Sequence, residues 1–208
     1  MAELLSICYV ALFAASGIGI SRLLFTREKP LVRIWLGLAL GMAMLIWFPA
    51  LFSFVLGFYL PAQLLGLLLA CLLGGAGYYF SRNRSLTVSP WKAEIPFFIA
   101  GGVVLVICLV LLSTHTIVLR DGALYVGQST YGDLAMHLGF ISSIATQGTF
   151  PPMYSICPDK PVCYPFLSES VGATIYLLGT SLRFATMLTA GYAMLLVIMG
   201  DYCFNHEL

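Results

Sequence analysis

The sequence predicts an all-α fold: a polytopic membrane helix bundle of about five transmembrane helices with one long extracytoplasmic loop containing amphipathic or juxtamembrane helices. Three observations lead there. Hydrophobic residues make up 60% of the 208 residues and charged ones 9%, against roughly a quarter charged in soluble domains. The mean hydropathy is +0.96. The apolar residues come in long uncharged runs, and only one long stretch, residues 131–169, gathers ionisable and turn-forming residues outside such a run. The whole chain, 1–208, reads as one membrane domain. A net charge of +1 leaves no basic surface for nucleic acid, so membrane lipids are the expected surroundings and nucleic acid is excluded as a partner.

The first span is expected over residues 4–21. It precedes the basic cluster Arg22, Arg27, Lys29 and Arg33, the reverse of a signal peptide, so a retained helix with its N-terminus outside is expected. Residues 34–81 are uncharged for about two span lengths and must hold two helices, 34–49 and 61–80. Their turn is expected between Pro49 and Pro61, with Trp47, Phe48 and Tyr59 as interfacial aromatics. Gly37 and Gly41, and then Gly74, Gly75 and Gly77, allow close helix approach, either inside the bundle or at a dimer face.

A second basic segment with Arg82, Arg84 and Lys92 leads into a fourth span, 95–119. Both basic loops then fall on one side, and the positive-inside rule places the loop 120–183 outside the cytoplasm. Within that loop, residues 167–179 are too few to cross and read as a juxtamembrane or re-entrant helix. The fifth span is expected over 184–200, followed by a short tail.

Of the six cysteines, Cys8, Cys71 and Cys108 lie in hydrophobic runs and read as small apolar residues. Cys157 and Cys163, in CPDKPVC, form a candidate disulfide or two free thiols, according to the redox state of the compartment they face. Asp159 and Lys160 between them read as a solvated loop tip. No metal site is expected there, since no histidine or second cysteine pair is near.

Soluble-enzyme motifs are absent. Asp133 and His137 are four residues apart on an apolar-periodic segment, which puts both on one face of a helix lying on the bilayer, as base and partner or as a shared metal site. The alternative is structural: Thr130 and Asp133 have capping-box spacing, and an acid in a first turn is favoured by the helix dipole. Glu169 is the one acid in a short apolar helix, an ionisable group that is functional by default or again a first-turn acid. Arg183 opens the last span and can bind a lipid phosphate or snorkel to headgroups. His115 reads as an interfacial residue.

Taken in order, GDLAMHLGFI, GTFPP and YPFL, followed by a span beginning near Leu182 and Arg183, resemble the first outer loop of the GT-C-type membrane glycosyltransferases, with the nearest likeness to an uncharacterised bacterial branch of the protein mannosyltransferase and ArnT-like group. The likeness covers about residues 119–200. It implies transfer of a sugar from a polyprenyl-phosphate-linked donor to an acceptor on the outer face of a bacterial cytoplasmic membrane. Asp133 then matches the general base and Glu169 a second acidic position. His137, Arg183, Tyr131 and Tyr164 are the substrate-binding candidates, with the cation stabilising the departing phosphate. No cofactor is certain, and a divalent cation is compatible with such a site. Family members carry further spans, so the resemblance implies an N-terminal portion that is not active alone. A transporter or flippase component and a non-catalytic assembly partner are the alternatives.

Overall fold

A computed structural model describes residues 1–127, 130, 132–157 and 159–206. It is mostly helical: α1 Ala2–Leu24, α2 Pro30–Leu56, α3 Leu60–Ser81, α4 Ile95–Leu111, α5 Asp133–Gln147, α6 Leu167–Leu177 and α7 Leu182–His206, with one hairpin, β1 Ile117–Arg120 and β2 Ala123–Val126, between α4 and α5. Five helices are long and apolar enough to cross a membrane: α1, α2, α3, α7, and α4 together with the short turns at its two ends.

The first three helices pack as a trio along a seam of glycines. A Cβ on Gly17 would strike the backbone of Gly37 and Gly41, one on Gly41 would come within 2.8 Å of the Phe13 carbonyl oxygen, and one on Gly77 within 2.7 Å of the Gly19 oxygen. Small residues permit such backbone-to-backbone contact, where dispersion rather than water exclusion holds helices together. Gly37, Gly41, Gly74 and Gly77 thus pack inside this bundle. Gly75 faces open space.

The α2–α3 turn is shorter than expected, because α2 runs through Pro49 to Leu56. A proline inside a membrane helix is tolerated where a neighbour accommodates it. Here Gly66 of α3 does so: a Cβ there would lie 2.6 Å from the Pro49 nitrogen. Only Gly57, Phe58 and Tyr59 remain for the turn, and the Phe58 N–H donates to the Gly148 carbonyl at 2.7 Å, fastening the turn to the end of α5.

The fourth span begins and ends earlier than expected, over Trp91–Thr116, since α4 ends at Leu111, passes through a π-helical turn, Leu112–Thr116, and enters β1 at Ile117. The Ser113 and Thr114 hydroxyls donate back to the Val110 carbonyl, and the β-branched run Thr116, Ile117, Val118 favours strand. The turn of the hairpin is Asp121-Gly122, both with positive φ (49° and 78°), the geometry that a two-residue hairpin turn requires. At the other extreme α7 exceeds expectation, continuing through Asp201 to His206.

Helix α7 docks on α2 through Trp35 Nε1, donating to the Leu196 carbonyl at 3.0 Å, and Tyr192, whose hydroxyl donates to the Leu38 carbonyl at 2.8 Å. It holds α4 at one end through Tyr202, which donates to the buried Glu94 carboxylate at 2.8 Å. Helix α6, about 16 Å long at 1.5 Å per residue, is too short to cross but is buried from Glu169 through Ile175. It closes one end of the bundle against α2, α5 and α7. Beneath it, Gln63 of α3 is fully buried and fully engaged: its side-chain nitrogen donates to Ser53 at 3.1 Å, its side-chain oxygen accepts from Thr174 at 2.8 Å, and its carbonyl accepts from Tyr9 at 3.2 Å. That network ties α1, α2, α3 and α6 together, and a satisfied buried amide specifies the register in which they meet.

Candidate functional site

The site lies where α5, α6 and α7 converge. Helix α5 buries Leu138, Phe140, Ile141 and Ile144 and ends at Gly148 in the left-handed conformation. Its apolar face therefore packs on protein, chiefly α6, where Gly172 leaves room for the Ile141 side chain. The polar edge of the same helix carries His137, and the first turn of α6 carries Glu169.

These two side chains meet. His137 Nδ1 lies 2.7 Å from Glu169 Oε1, and the Ser168 hydroxyl donates to Glu169 Oε2 at 2.6 Å, so both carboxylate oxygens are occupied. Glu169 is only 8% exposed. The His137 ring packs edge-on to Tyr164, with centroids 5.6 Å apart, and Tyr164 itself stays exposed as a rim. A groove of about 200 Å³ opens beside the pair, lined also by Gly172, Thr186 and Thr189. An ionised carboxylate can only accept, so toward such a Glu169 the Nδ1 nitrogen is the donor and Nε2 is the ring nitrogen left to engage a ligand. Nε2 makes no hydrogen bond with a described residue. The arrangement can take a proton from, or orient, a hydroxyl placed in the groove.

The partner of His137 is thus Glu169, whereas sequence spacing had suggested Asp133. Asp133 is exposed in the first turn of α5 and makes no hydrogen bond or ion pair with a described residue. The expected capping box is not formed: Gly132 precedes the helix without a side-chain cap, and the Thr130 hydroxyl donates instead to the Gly127 carbonyl at 3.3 Å. Tyr131 lies outside the described residues.

Arg183 is engaged with backbone carbonyls of its own chain. Its Nε donates to the Ile117 carbonyl at 3.0 Å and its Nη2 to the Ser113 carbonyl at 2.7 Å. The guanidinium therefore clamps both ends of the π-helical turn to the start of α7. A rigid donor fork suits this better than an ammonium would. Sequence reasoning missed the clamp because its acceptors are backbone carbonyls, which no residue pattern marks.

Cys157 and Cys163 are both free and exposed. Their segment forms a second, irregular hairpin in which Met153 pairs with Pro161, Tyr154 N donates to the Lys160 carbonyl at 2.7 Å, and Val162 N donates to the Pro152 carbonyl at 3.0 Å. In that register Cys157 falls at the apex and Cys163 beyond Val162, so the two are not cross-strand neighbours. Asp159, at the tip with φ +63°, is the solvated turn residue the sequence suggested. Thr114 shares a hydrogen bond of 2.7 Å with His115, on an exposed surface. Among the described residues no group of three or more His, Cys, Asp or Glu side chains is placed to hold a metal ion.

Fold and site together define a class: a helical protein with five helices suited to a membrane and an imidazole–carboxylate pair at one end of the bundle. Comparisons with protein-family models, with curated proteins and with solved structures each found no match.

Proposed function

We propose that the chain is the N-terminal portion of a GT-C-like glycosyltransferase, which moves a sugar from a polyprenyl-phosphate carrier to an acceptor hydroxyl at the outer face of a bacterial cytoplasmic membrane. The observation that carries this reading is the His137–Glu169 pair, held in a groove one helical turn from the exposed Asp133. The order of elements adds to it: a span, an acid opening a loop helix, a proline-rich hairpin, a short second helix and a further span match the outer-loop motifs GDLAMHLGFI, GTFPP and YPFL.

In this reading the bond between the sugar and the carrier phosphate breaks as the acceptor oxygen bonds the anomeric carbon. Asp133 receives the acceptor proton. His137, fixed by Glu169, orients a sugar hydroxyl through Nε2, and Tyr164 packs against the ring at the rim. Seven basic residues, Arg22, Arg27, Lys29, Arg33, Arg82, Arg84 and Lys92, cluster at the opposite end of the bundle, against Arg120, Lys160 and Arg183 at the site end. By the positive-inside rule that distribution supports an outward-facing site and an outward N-terminus.

The test is transfer of labelled sugar from a synthetic polyprenyl-phosphate donor in membranes carrying the complete reading frame. Asp133→Asn is expected to lose transfer by about 10²-fold or more, as for removal of a general base, with membrane insertion unchanged. Unchanged transfer removes Asp133 from the mechanism. Movement of the intact donor between leaflets without transfer would favour a flippase instead.

A further inference from the structure

A second groove lies on the opposite, basic half of the molecule, between α1 and α3. It has a volume of about 440 Å³ and is lined by Leu12, Gly19, Cys71, Gly75 and Tyr78, with Arg22 at its end. Its walls are mainly apolar, and the Ser16 hydroxyl, also on the lining, already donates to the Leu12 carbonyl at 2.7 Å within its helix. Its floor is open because Gly75 has no side chain and nothing within 4 Å of where one would stand.

Several cations of the basic end are engaged within the protein, unlike Arg22. Arg33 donates to the Thr26 and Thr87 carbonyls, Arg84 donates to the Leu23 carbonyl, and Arg82 stacks on Tyr79. The Arg22 Nε is buried without a hydrogen-bond partner, and no described residue forms a hydrogen bond or ion pair with its guanidinium. What positions the group is Tyr78, whose ring centre lies 5.2 Å from Cζ. Only Nε is buried, so the terminal nitrogens of the guanidinium stay accessible at the end of the groove with no acceptor among the described residues. An anionic oxygen could reach those terminal nitrogens, and a guanidinium fork binds phosphate oxygens in pairs.

We infer that this groove is a binding site for an anionic phospholipid of the leaflet at the basic end, with the phosphate on Arg22 and one acyl chain lying along Gly19, Gly75 and Cys71. The chemistry divides as such a ligand does, with one cation at the helix end and an apolar trough beneath it. The site is independent of the His137–Glu169 groove, which lies at the other end of the bundle.

Native mass spectrometry of the full chain in detergent, titrated with phosphatidylglycerol and in parallel with phosphatidylcholine, tests the assignment. Selective retention of phosphatidylglycerol is expected. Arg22→Gln should weaken it by roughly tenfold or more, the size of a lost charge-assisted bond. Arg22→Lys should recover only part. Gly75→Leu, whose Cβ would have no protein atom within 4 Å, should fill the trough and displace the lipid while circular dichroism stays unchanged. Equal retention of both lipids, or retention undiminished in Arg22→Gln and Gly75→Leu, overturns the proposal. Displacement of the lipid by millimolar inorganic phosphate would mean that the site takes free phosphate. A lipid-free dimer that Gly75→Leu breaks would make the groove a contact with a second copy.

Discussion

His137 and Glu169, 32 positions apart in the chain, are joined by a 2.7 Å hydrogen bond that locks α5 onto α6. The bond is both a chemical and a structural element, and a double-mutant cycle separates the two roles. His137→Gln, Glu169→Gln and the double variant should show a coupling of about 0.5–3 kcal/mol in unfolding experiments, the range for directly bonded side chains. His137→Ala should destabilise more than His137→Gln, because it leaves a buried carboxylate oxygen without a donor. Additive single variants would mean that the bond is not formed in the membrane.

Two adjacent glycines make a sharper test of the helix trio. A Cβ on Gly74 would come within 2.4 Å of the Ser16 backbone, whereas Gly75 meets nothing. Gly74→Ala should therefore lower the unfolding midpoint, with about 1–3 kcal/mol lost to overpacking. Gly75→Ala should leave the midpoint unchanged or raise it slightly through helix propensity. Equal effects at the two positions would contradict the interhelical contact.

Replacement of Arg183 should loosen the site without emptying it. Arg183→Met removes both bonds to the π-helical turn, and limited proteolysis is expected to accelerate between β1 and β2 while α1–α3 remain protected. Arg183→Lys, which keeps the charge but not the fork, should restore little of that protection. Full protection in the lysine variant would assign the effect to charge alone.

Membrane orientation is accessible to thiol labelling, with one change of probe. Cys157 and Cys163 are exposed and should react with an impermeant maleimide added outside. Cys203 is buried, so its silence would say nothing about sidedness. Ser85→Cys, on an exposed loop at the basic end, is the informative control and should react only after permeabilisation. Labelling of Ser85→Cys in intact cells would invert the orientation.

The spans were legible because each is an uncharged run of the right length, and length and apolarity are what a bilayer reads. Their ends were less so. Pro49 looked like a terminus and is an interior residue, since the accommodation comes from Gly66 on another helix, invisible along the chain. The β1–β2 hairpin carries a signal, Asp121-Gly122 flanked by apolar and β-branched residues, but the run from Ile95 to Leu119 that precedes it is equally consistent with a continuous apolar helix. At the site, Asp133, His137 and Glu169 were recognisable as unusual residues, but their pairing was not. Spacing along one helix favoured Asp133 and His137, while packing of α5 on α6 decided for His137 and Glu169.

Helix α4 contains no buried residue and is the most apolar of the five long helices; its main helical partner, α7, begins only after the whole loop has followed. During synthesis α1, α2 and α3 can close their glycine seam as soon as the third is made. Helix α4 must meanwhile stand alone in lipid until α7 arrives to hold it through Tyr202 and Arg183. Its lack of any internal polar anchor is what lets it wait, and the order of the sequence thereby sets an order of assembly.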